Sequence, residues 1–422
     1  MGQLAVNGGA KTRTKPFPGW PVFDEREVKA VEDVVRSGRW GCLTGPNTSE
    51  FEKKFAAFQD AKYGVCIVNG TAALEVALRA VGVKAGDEVI VPPYTFIASA
   101  TAVLLLGAIP VFVDIDPDTY NLDPTRIEAA ITEKTKAILA VHIAGGPADM
   151  DGITAVARKH GLKIVEDAAQ AHGAAWSGRR VGAIGDAGTF SFQASKNLTS
   201  GEGGMVVTDD PDVYAKAWSL HNVGRVPDGQ WYEHRILGWN MRMTEFQSAI
   251  LLAQMERLED QMKTRDANAR YLDAELSKIE GIRPLKRLPQ ATSHAYHLYI
   301  FRYDPQAFGG VPRSKFLQAL GAEGIPCASG YVPLYKEELF YVEPDGCPMG
   351  CAFYGRKMDY SKVHCPVCEN ASYNESVWMS QNVLLGTKED MDDIASAVRK
   401  IRENAGEMVN GQWSMVNDGK SR

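Results

Sequence analysis

Between Lys62 and about Asp210 the chain alternates short apolar runs with amphipathic stretches, and that alternation excludes most folds. Residues 64–68, 88–91, 110–115, 137–142, 162–166, 188–192 and 204–208 are brief apolar runs rich in β-branched residues, the pattern of buried strands. Between them, residues 71–81, 96–106, 124–131 and 149–159 carry apolar side chains at helical spacing. Strands joined through helices of this length run parallel, because a parallel partner is reached only by a long crossover. Such a sheet is covered on both faces. The fold class is therefore α/β, a mainly parallel sheet sandwiched by helices.

After Asn240 the character changes. Residues 244–279 read as one or two long helices, with Phe246, Ile250, Leu251, Met255, Leu258 and Met262 at helical spacing. Thr244 and Gln247 fit a capping box at the start. A strand at 298–303, a helix at 312–320 and an amphipathic helix at 388–405 follow. This places a boundary near residue 260, giving a large domain over 1–260 and a smaller α+β domain over 261–422. The first 21 residues are expected to wrap onto another part of the protein, and the last dozen to be loose.

A chain of 422 residues buries a large core without disulfides or metal. Its formal net charge of -6 gives no encouragement to a nucleic-acid or anionic-membrane partner. The most apolar stretch, 102–113, is broken by Gly107 and Pro110 and is too short to cross a bilayer. The start of the chain lacks a secretion signal and the cysteines number seven, so reduced thiols and a cytoplasmic location are expected.

Four segments carry chemistry. In Ser191-Phe192-Gln193-Ala194-Ser195-Lys196-Asn197-Leu198-Thr199 an apolar strand runs into a polar turn holding one lysine, followed by the glycine-rich turn Gly201-Glu202-Gly203-Gly204. A lysine kept partly neutral at such a strand end forms Schiff bases, whereas a solvated loop lysine does not. In Val165-Glu166-Asp167-Ala168-Ala169-Gln170-Ala171-His172, Asp167 ends a buried strand, where open α/β sheets bind ligands. It either holds a proton on a pyridine nitrogen or caps the next helix. Glu166 alternates to the other face, and His172 reads as a packed, hydrogen-bonded histidine. In Asn69-Gly70-Thr71-Ala72-Ala73, Gly70 permits a tight turn and the free amides of Thr71 and Ala72 would receive a phosphate. Pro92-Pro93-Tyr94-Thr95-Phe96 puts aromatics at a further strand end, either for stacking on a flat ring or as core. A phosphate cradle, a stacking aromatic, an aspartate and a lysine thus occupy one edge of a parallel sheet. Those are the parts a pyridoxal phosphate site needs.

Together with Gly238-Trp239-Asn240-Met241-Arg242-Met243-Thr244-Glu245-Phe246-Gln247, these segments resemble the DegT/StrS family of aminotransferases, a branch of the fold-type I pyridoxal phosphate enzymes. The resemblance runs over nearly the whole chain and implies pyridoxal 5'-phosphate as cofactor. By it, Lys196 is the lysine joined to the cofactor and Asp167 the partner of the pyridinium nitrogen, the two catalytic residues. Phe96 resembles the ring-stacking aromatic, and Gln170 would lie beside the ring oxygen. Gly70, Thr71, Ala72 and Ser191 resemble the phosphate-binding set, with Gln193 also on the cofactor side. Asn240 matches a residue that the family contributes from the neighbouring subunit, which implies a homodimer with shared active sites.

Ser191-Phe192-Gln193, residues 245–252, and Phe301-Arg302-Tyr303-Asp304 leading to Phe308-Gly309-Gly310 are similar to the glutamine-dependent scyllo-inosose and 2-deoxy-scyllo-inosose aminotransferases of aminoglycoside pathways. Many members that act on nucleotide-sugars carry histidine where Gln193 stands. The expected reaction moves the amino group of L-glutamine or L-glutamate to a cyclitol ketone. A nucleotide-linked keto-sugar acceptor, or a non-catalytic cofactor-binding sensor, are the alternatives. Relatives that dehydrate or deoxygenate sugars replace the lysine with histidine, and Lys196 argues against that chemistry. Cys347, Cys351, Cys365 and Cys368 have a spacing compatible with zinc. Family members also read Cys-Pro-Val where Cys365-Pro366-Val367 stands, with no metal implied. Residues 343–364 read as a loop of variable length, and no metal is expected.

Overall fold

The computed structural model describes residues 3–227, 229–341, 355 and 359–410. All seven expected strands form. They join one sheet in the order β1 (Tyr63–Ile67), β9 (Gly204–Thr208), β8 (Ala187–Ser191), β5 (Lys163–Asp167), β4 (Thr135–Val141), β2 (Glu88–Val91) and β3 (Ile109–Phe112). Pairing is parallel from β8 through β5, β4 and β2 to β3, and β9 alone runs the other way.

Side-chain alternation along the strands sorts the core into two layers. Val65, Ile67, Val89, Val91, Leu139, Val141 and Val165 face one layer, covered by α3 (Gly70–Ala80), α4 (Ala98–Leu105) and α7 (Pro211–His221). Cys66, Ile90, Ile138, Ala140 and Ile164 face the other, with Phe51 and Phe55 of α2 (Asn47–Phe58) and Ile153 of α6 (Met150–His160). Leu251 and Leu258, from the first half of α8 (Glu245–Leu276), complete that layer. Between α4 and α6 lies the one-turn α5 (Pro124–Ile127), and α1 (Glu25–Ser37) packs along α8.

The differences from the sequence reading have local causes. The run at 110–115 stays in the sheet as far as Phe112, with one last bond from the Val113 amide to the Val91 carbonyl, because β2 ends at Val91, ahead of Pro92 and Pro93, which have no N–H to continue a ladder. The helix expected at 124–131 is α-helical to Ile127 and tightens into a 3₁₀ turn, Glu128–Ala130. The stretch expected at 244–279 forms a single helix, α8, capped by Thr244 and ending at Leu276. At its start the Gln247 side-chain oxygen accepts from the Thr244 amide at 2.9 Å and from its hydroxyl at 2.8 Å.

A third apolar cluster joins Ala269, Leu272 and Leu276 of α8 to a sheet of β10 (Ile282–Pro284), β12 (Leu298–Tyr303) and β13 (Ser376–Ser380). It is closed by α9 (Arg313–Ala322) and the helix Lys388–Glu403. The N-terminal arm does wrap onto this region. Leu4 is buried in it, the amides of Ala5 and Thr12 donate to Glu323, and Arg13 bridges Asp390 and Asp393 at 2.6 and 2.8 Å. A small sheet of β6 (Ala175–Trp176), β7 (Arg179–Arg180) and β11 (Ala291–Ser293) ties the chain after α8 back to the large sheet. Among the described residues no helix is long and apolar enough to cross a membrane. The closing residues 411–422 lie outside the described residues.

Candidate active site

Because β1, β2, β5 and β8 point the same way, their carboxyl ends meet on one edge of the sheet. The antiparallel β9 begins at that edge. A cavity of about 640 Å³ opens there. Gly70 and Thr71 line it from β1, Thr95, Phe96 and Ser99 from β2, Asp167 and Gln170 from β5, and Ser191, Gln193 and Lys196 from β8. The four separate motifs therefore converge on one space.

The first helix turn is pressed against β8. A Cβ on Gly70 would stand 2.7 Å from the Ser191 Cβ, so only glycine fits. The amide of Thr71, in the first turn of α3, has no intrahelical acceptor and points out with the positive end of the helix dipole. The amide of Ala72 is not free as expected, and Ala72 does not line the cavity. Asn69 takes the N-cap position in extended geometry and its Oδ1 accepts from the Ala72 amide at 2.8 Å. Of the expected phosphate-binding set, Gly70, Thr71 and Ser191 line the cavity.

Asp167 is buried, and burial raises its carboxyl above the usual range. The Ser99 hydroxyl opposes this, donating to Oδ2 at 2.7 Å, and the Ala169 amide donates to Oδ1 at 3.2 Å. The bond to Ala169 is the turn-capping contact, so Asp167 both caps and faces the cavity. Lys196 sits deep in the same cavity, where burial lowers its amine to about 8 against the pull of Asp167. A substantial share of neutral amine near neutral pH is what a nucleophilic lysine requires. Gln170 bridges two elements, accepting from the Ala144 amide at 2.7 Å and donating to the Tyr331 hydroxyl at 3.0 Å. Phe96 is 56% exposed with its ring at the cavity, unlike the fully buried Tyr94, which bonds Ser376 and Trp378.

Glu166 faces the opposite side, as the alternation requires. Its carboxylate accepts from the amides of Gly182, Ile184 and Gly185 at 2.7, 2.7 and 2.6 Å. His142 Nδ1 accepts from the Ala148 amide at 3.0 Å, so its Nε2 donates to Glu166, also at 3.0 Å. This fastens loop 182–185 under the end of β5. Glu166→Gln places an NH₂ against those amides and should lower stability by about 3 kcal/mol, read from the midpoint of urea unfolding. An unchanged midpoint would show that the loop is held by other contacts.

His172 is packed as expected, among the rings of Phe55, Phe190 and Phe192 at 6.1, 5.5 and 5.7 Å, and burial lowers it to about 3. Among the described residues neither ring nitrogen makes a well-formed hydrogen bond, although the backbone of Ser191 approaches the ring, because most of its surroundings are phenyl rings. Asn240 does not reach the cavity of its own chain. It is exposed, in a strand-like bridge with Asn222, and Ile236 and Leu237, a few residues earlier in the chain, are exposed too. Cys347 and Cys351 lie outside the described residues. Cys365 and Cys368 are buried thiols, the first pushed up to about 12 by burial and the second further.

Ser99, Glu202, His297 and Tyr331 also line the cavity and were not foreseen. His297 enters just ahead of β12, with Nδ1 3.3 Å from Asn197 Oδ1, and burial keeps it far below its ordinary range. Its only sequence signal was a polar residue before an apolar strand, a hundred positions from its partner.

Residues 21–399 match the DegT/DnrJ/EryC1/StrS aminotransferase family. The chain is 41% identical to the L-glutamine:2-deoxy-scyllo-inosose aminotransferase of Streptomyces fradiae, over 96% of this chain and 99% of that one. It is 40% identical to the L-glutamine:scyllo-inosose aminotransferase of Streptomyces griseus, with the same coverage of both chains. Among solved structures, 3-amino-5-hydroxybenzoic acid synthase superposes with a TM-score of 0.83 at 35% identity, over 93% of this chain and all of that one (100%). With the fold, the converging strand ends and these matches, the chain belongs to the DegT/DnrJ/EryC1/StrS aminotransferase family and is an aminotransferase.

Proposed function

We propose that the protein transfers the amino group of L-glutamine to the ketone of a cyclitol, scyllo-inosose or 2-deoxy-scyllo-inosose, with pyridoxal phosphate as cofactor. The observation that carries this reading is one half-buried lysine and one buried carboxylate, Lys196 and Asp167, lining a single cavity beside a helix N-terminus. The donor set fits the cofactor. Thr71 and Ser191 would hold the phosphate at the dipole end of α3, and the bare Cα of Gly70 lets that helix close on β8. Phe96 would cover the ring, Asp167 would pair with the pyridine nitrogen, and Gln170 and Gln193 would lie on the side of the ring substituents. Support for the acceptor comes from the names of the relatives, which cover nearly the same length.

When bound, the cofactor supplies an electron sink for the carbanion formed on the donor. The protein's own groups do the rest. Lys196 Nζ removes the α-proton of the amino donor and, in the return half-reaction, delivers a proton to the former carbonyl carbon of the acceptor. Asp167 keeps a proton on the ring nitrogen. A homodimer completes the site, with Asn240 of each copy entering the cavity of the other beside the apolar Ile236 and Leu237.

The test is turnover of purified, cofactor-loaded protein with L-glutamine and each ketone, following the aminocyclitol by mass spectrometry. Amination of scyllo-inosose or its 2-deoxy form is expected. Amination of a nucleotide-linked 4-keto-sugar with neither cyclitol consumed would overturn the acceptor assignment.

A further inference from the structure

Asp167 does not stand alone in the cavity wall. Thr95 and Ser99 lie four residues apart at the entrance to α4, and both are 1% exposed. The Ser99 Oγ lies 2.7 Å from Asp167 Oδ2, and the Thr95 Oγ1 lies 3.0 Å from Ser99 Oγ. Hydrogen counting gives this chain a direction. An ionised carboxylate only accepts, so the single proton of Ser99 goes to Asp167. Ser99 Oγ is then an acceptor, and the proton between the two hydroxyls comes from Thr95.

We propose that Ser99, backed by Thr95, is a positioning residue that holds Asp167 ionised and aimed at the ring nitrogen, and so sets how fully that nitrogen is protonated. The inference rests on the cofactor reading above and deepens it. Burial works against the ionised carboxyl, and among the groups opposing it the Ser99 hydroxyl is foremost, ahead of the longer Ala169 contact. The other charged or titratable neighbours are Lys196 in the same cavity, His142, whose Nε2 is committed to Glu166, and Tyr331, whose hydroxyl accepts from Gln170. None of these donates to Asp167. Removing the Ser99 donor makes the carboxylate a stronger base, so the proton it shares with the ring nitrogen moves toward oxygen. The ring is then a weaker electron sink.

The sequence carries this device only as two hydroxyls in a helix-entry segment, Thr95-Phe96-Ile97-Ala98-Ser99, where Phe96 between them turns to the cavity. Hydroxyls at such a place are otherwise read as capping groups.

The experiment loads wild type, Ser99→Ala and Thr95→Val with pyridoxal phosphate carrying ¹⁵N in the ring and records the ring-nitrogen resonance. Wild type should give a protonated-ring shift. Ser99→Ala should move it toward neutral pyridine, and Thr95→Val should move it the same way by less. The value of kcat should fall about tenfold in Ser99→Ala with KM for L-glutamine little changed, since one charge-assisted hydrogen bond is lost away from the substrate. Should Ser99→Ala fail to fold, the Thr95→Val shift alone decides. The same resonance in wild type and variants, with cofactor bound, overturns the proposal and leaves the cofactor reading standing. Wild type that binds no cofactor overturns both.

Discussion

Lys196→Ala should lower turnover roughly 10⁴-fold and remove the visible absorption of the cofactor-loaded protein, because it deletes the residue that both attaches the cofactor and moves the proton. The fold should survive. Lys196 lies at the cavity, in the turn after β8, and its amine is not among the bonds that fasten that turn. Those are made by the Lys196 amide to the Gln193 carbonyl and by Gln193 Oε1, which accepts from the Ser195 amide and hydroxyl at 2.8 Å each. Lys196 also sets a pH dependence. Burial brings its amine from the ordinary 10.5 to about 8, so the neutral, reactive form dominates above about 8. Capture of pyridoxal phosphate by stripped protein should therefore quicken about tenfold per pH unit on the acid side and level off above that point. A rate still climbing at pH 10 would mean that the cavity does not tune the amine.

Asp167→Asn is the second large effect. Loss of the charge facing the ring nitrogen leaves that nitrogen unprotonated and the ring a weaker electron sink, a loss of about 3 to 4 kcal/mol. That corresponds to a fall in kcat of about 10²- to 10³-fold. Stability should move the other way or not at all. A carboxyl whose folded pKa lies above its ordinary value contributes stability below that ordinary value and loses it as pH rises through the folded one. Wherever Asp167 is ionised it is therefore a net burden on the stripped protein, and asparagine relieves it. A thermal melt of stripped Asp167→Asn no lower than wild type, together with the loss of activity, separates a functional carboxylate from a structural cap. A melt several degrees lower would favour the cap.

How much of this was legible in the sequence depends on the range of the interactions involved. The strands were readable because each apolar run owes its burial to its own composition, and parallel pairing then put Thr71, Phe96, Asp167 and Lys196 on one edge without further information. The alternation rule also separated Glu166 from Asp167, although the two are adjacent and both are buried carboxylates. What failed was competition for a donor or a partner. Asn69 could be read as a turn residue, but nothing in the sequence says whether its side chain caps Ala72 or leaves that amide open. The same holds for Ser99, 68 positions from Asp167, and for His297, 100 positions from Asn197. Tyr331 reaches the site through long-range contacts, its hydroxyl on Gln170 and its ring against Tyr94 and Trp378. Asn240 belongs to a different case: its own cavity lies elsewhere, so a single chain gives it no partner chemistry to reveal.

The most direct test of the central claim is the visible absorption spectrum of the purified protein, before and after L-glutamine is added with no acceptor present. A band from lysine-linked cofactor that L-glutamine bleaches, and that scyllo-inosose then restores, is the predicted result. It would place the cofactor, Lys196 and the donor half-reaction in one cavity. Absence of any band after pyridoxal phosphate has been supplied would contradict the account at its root.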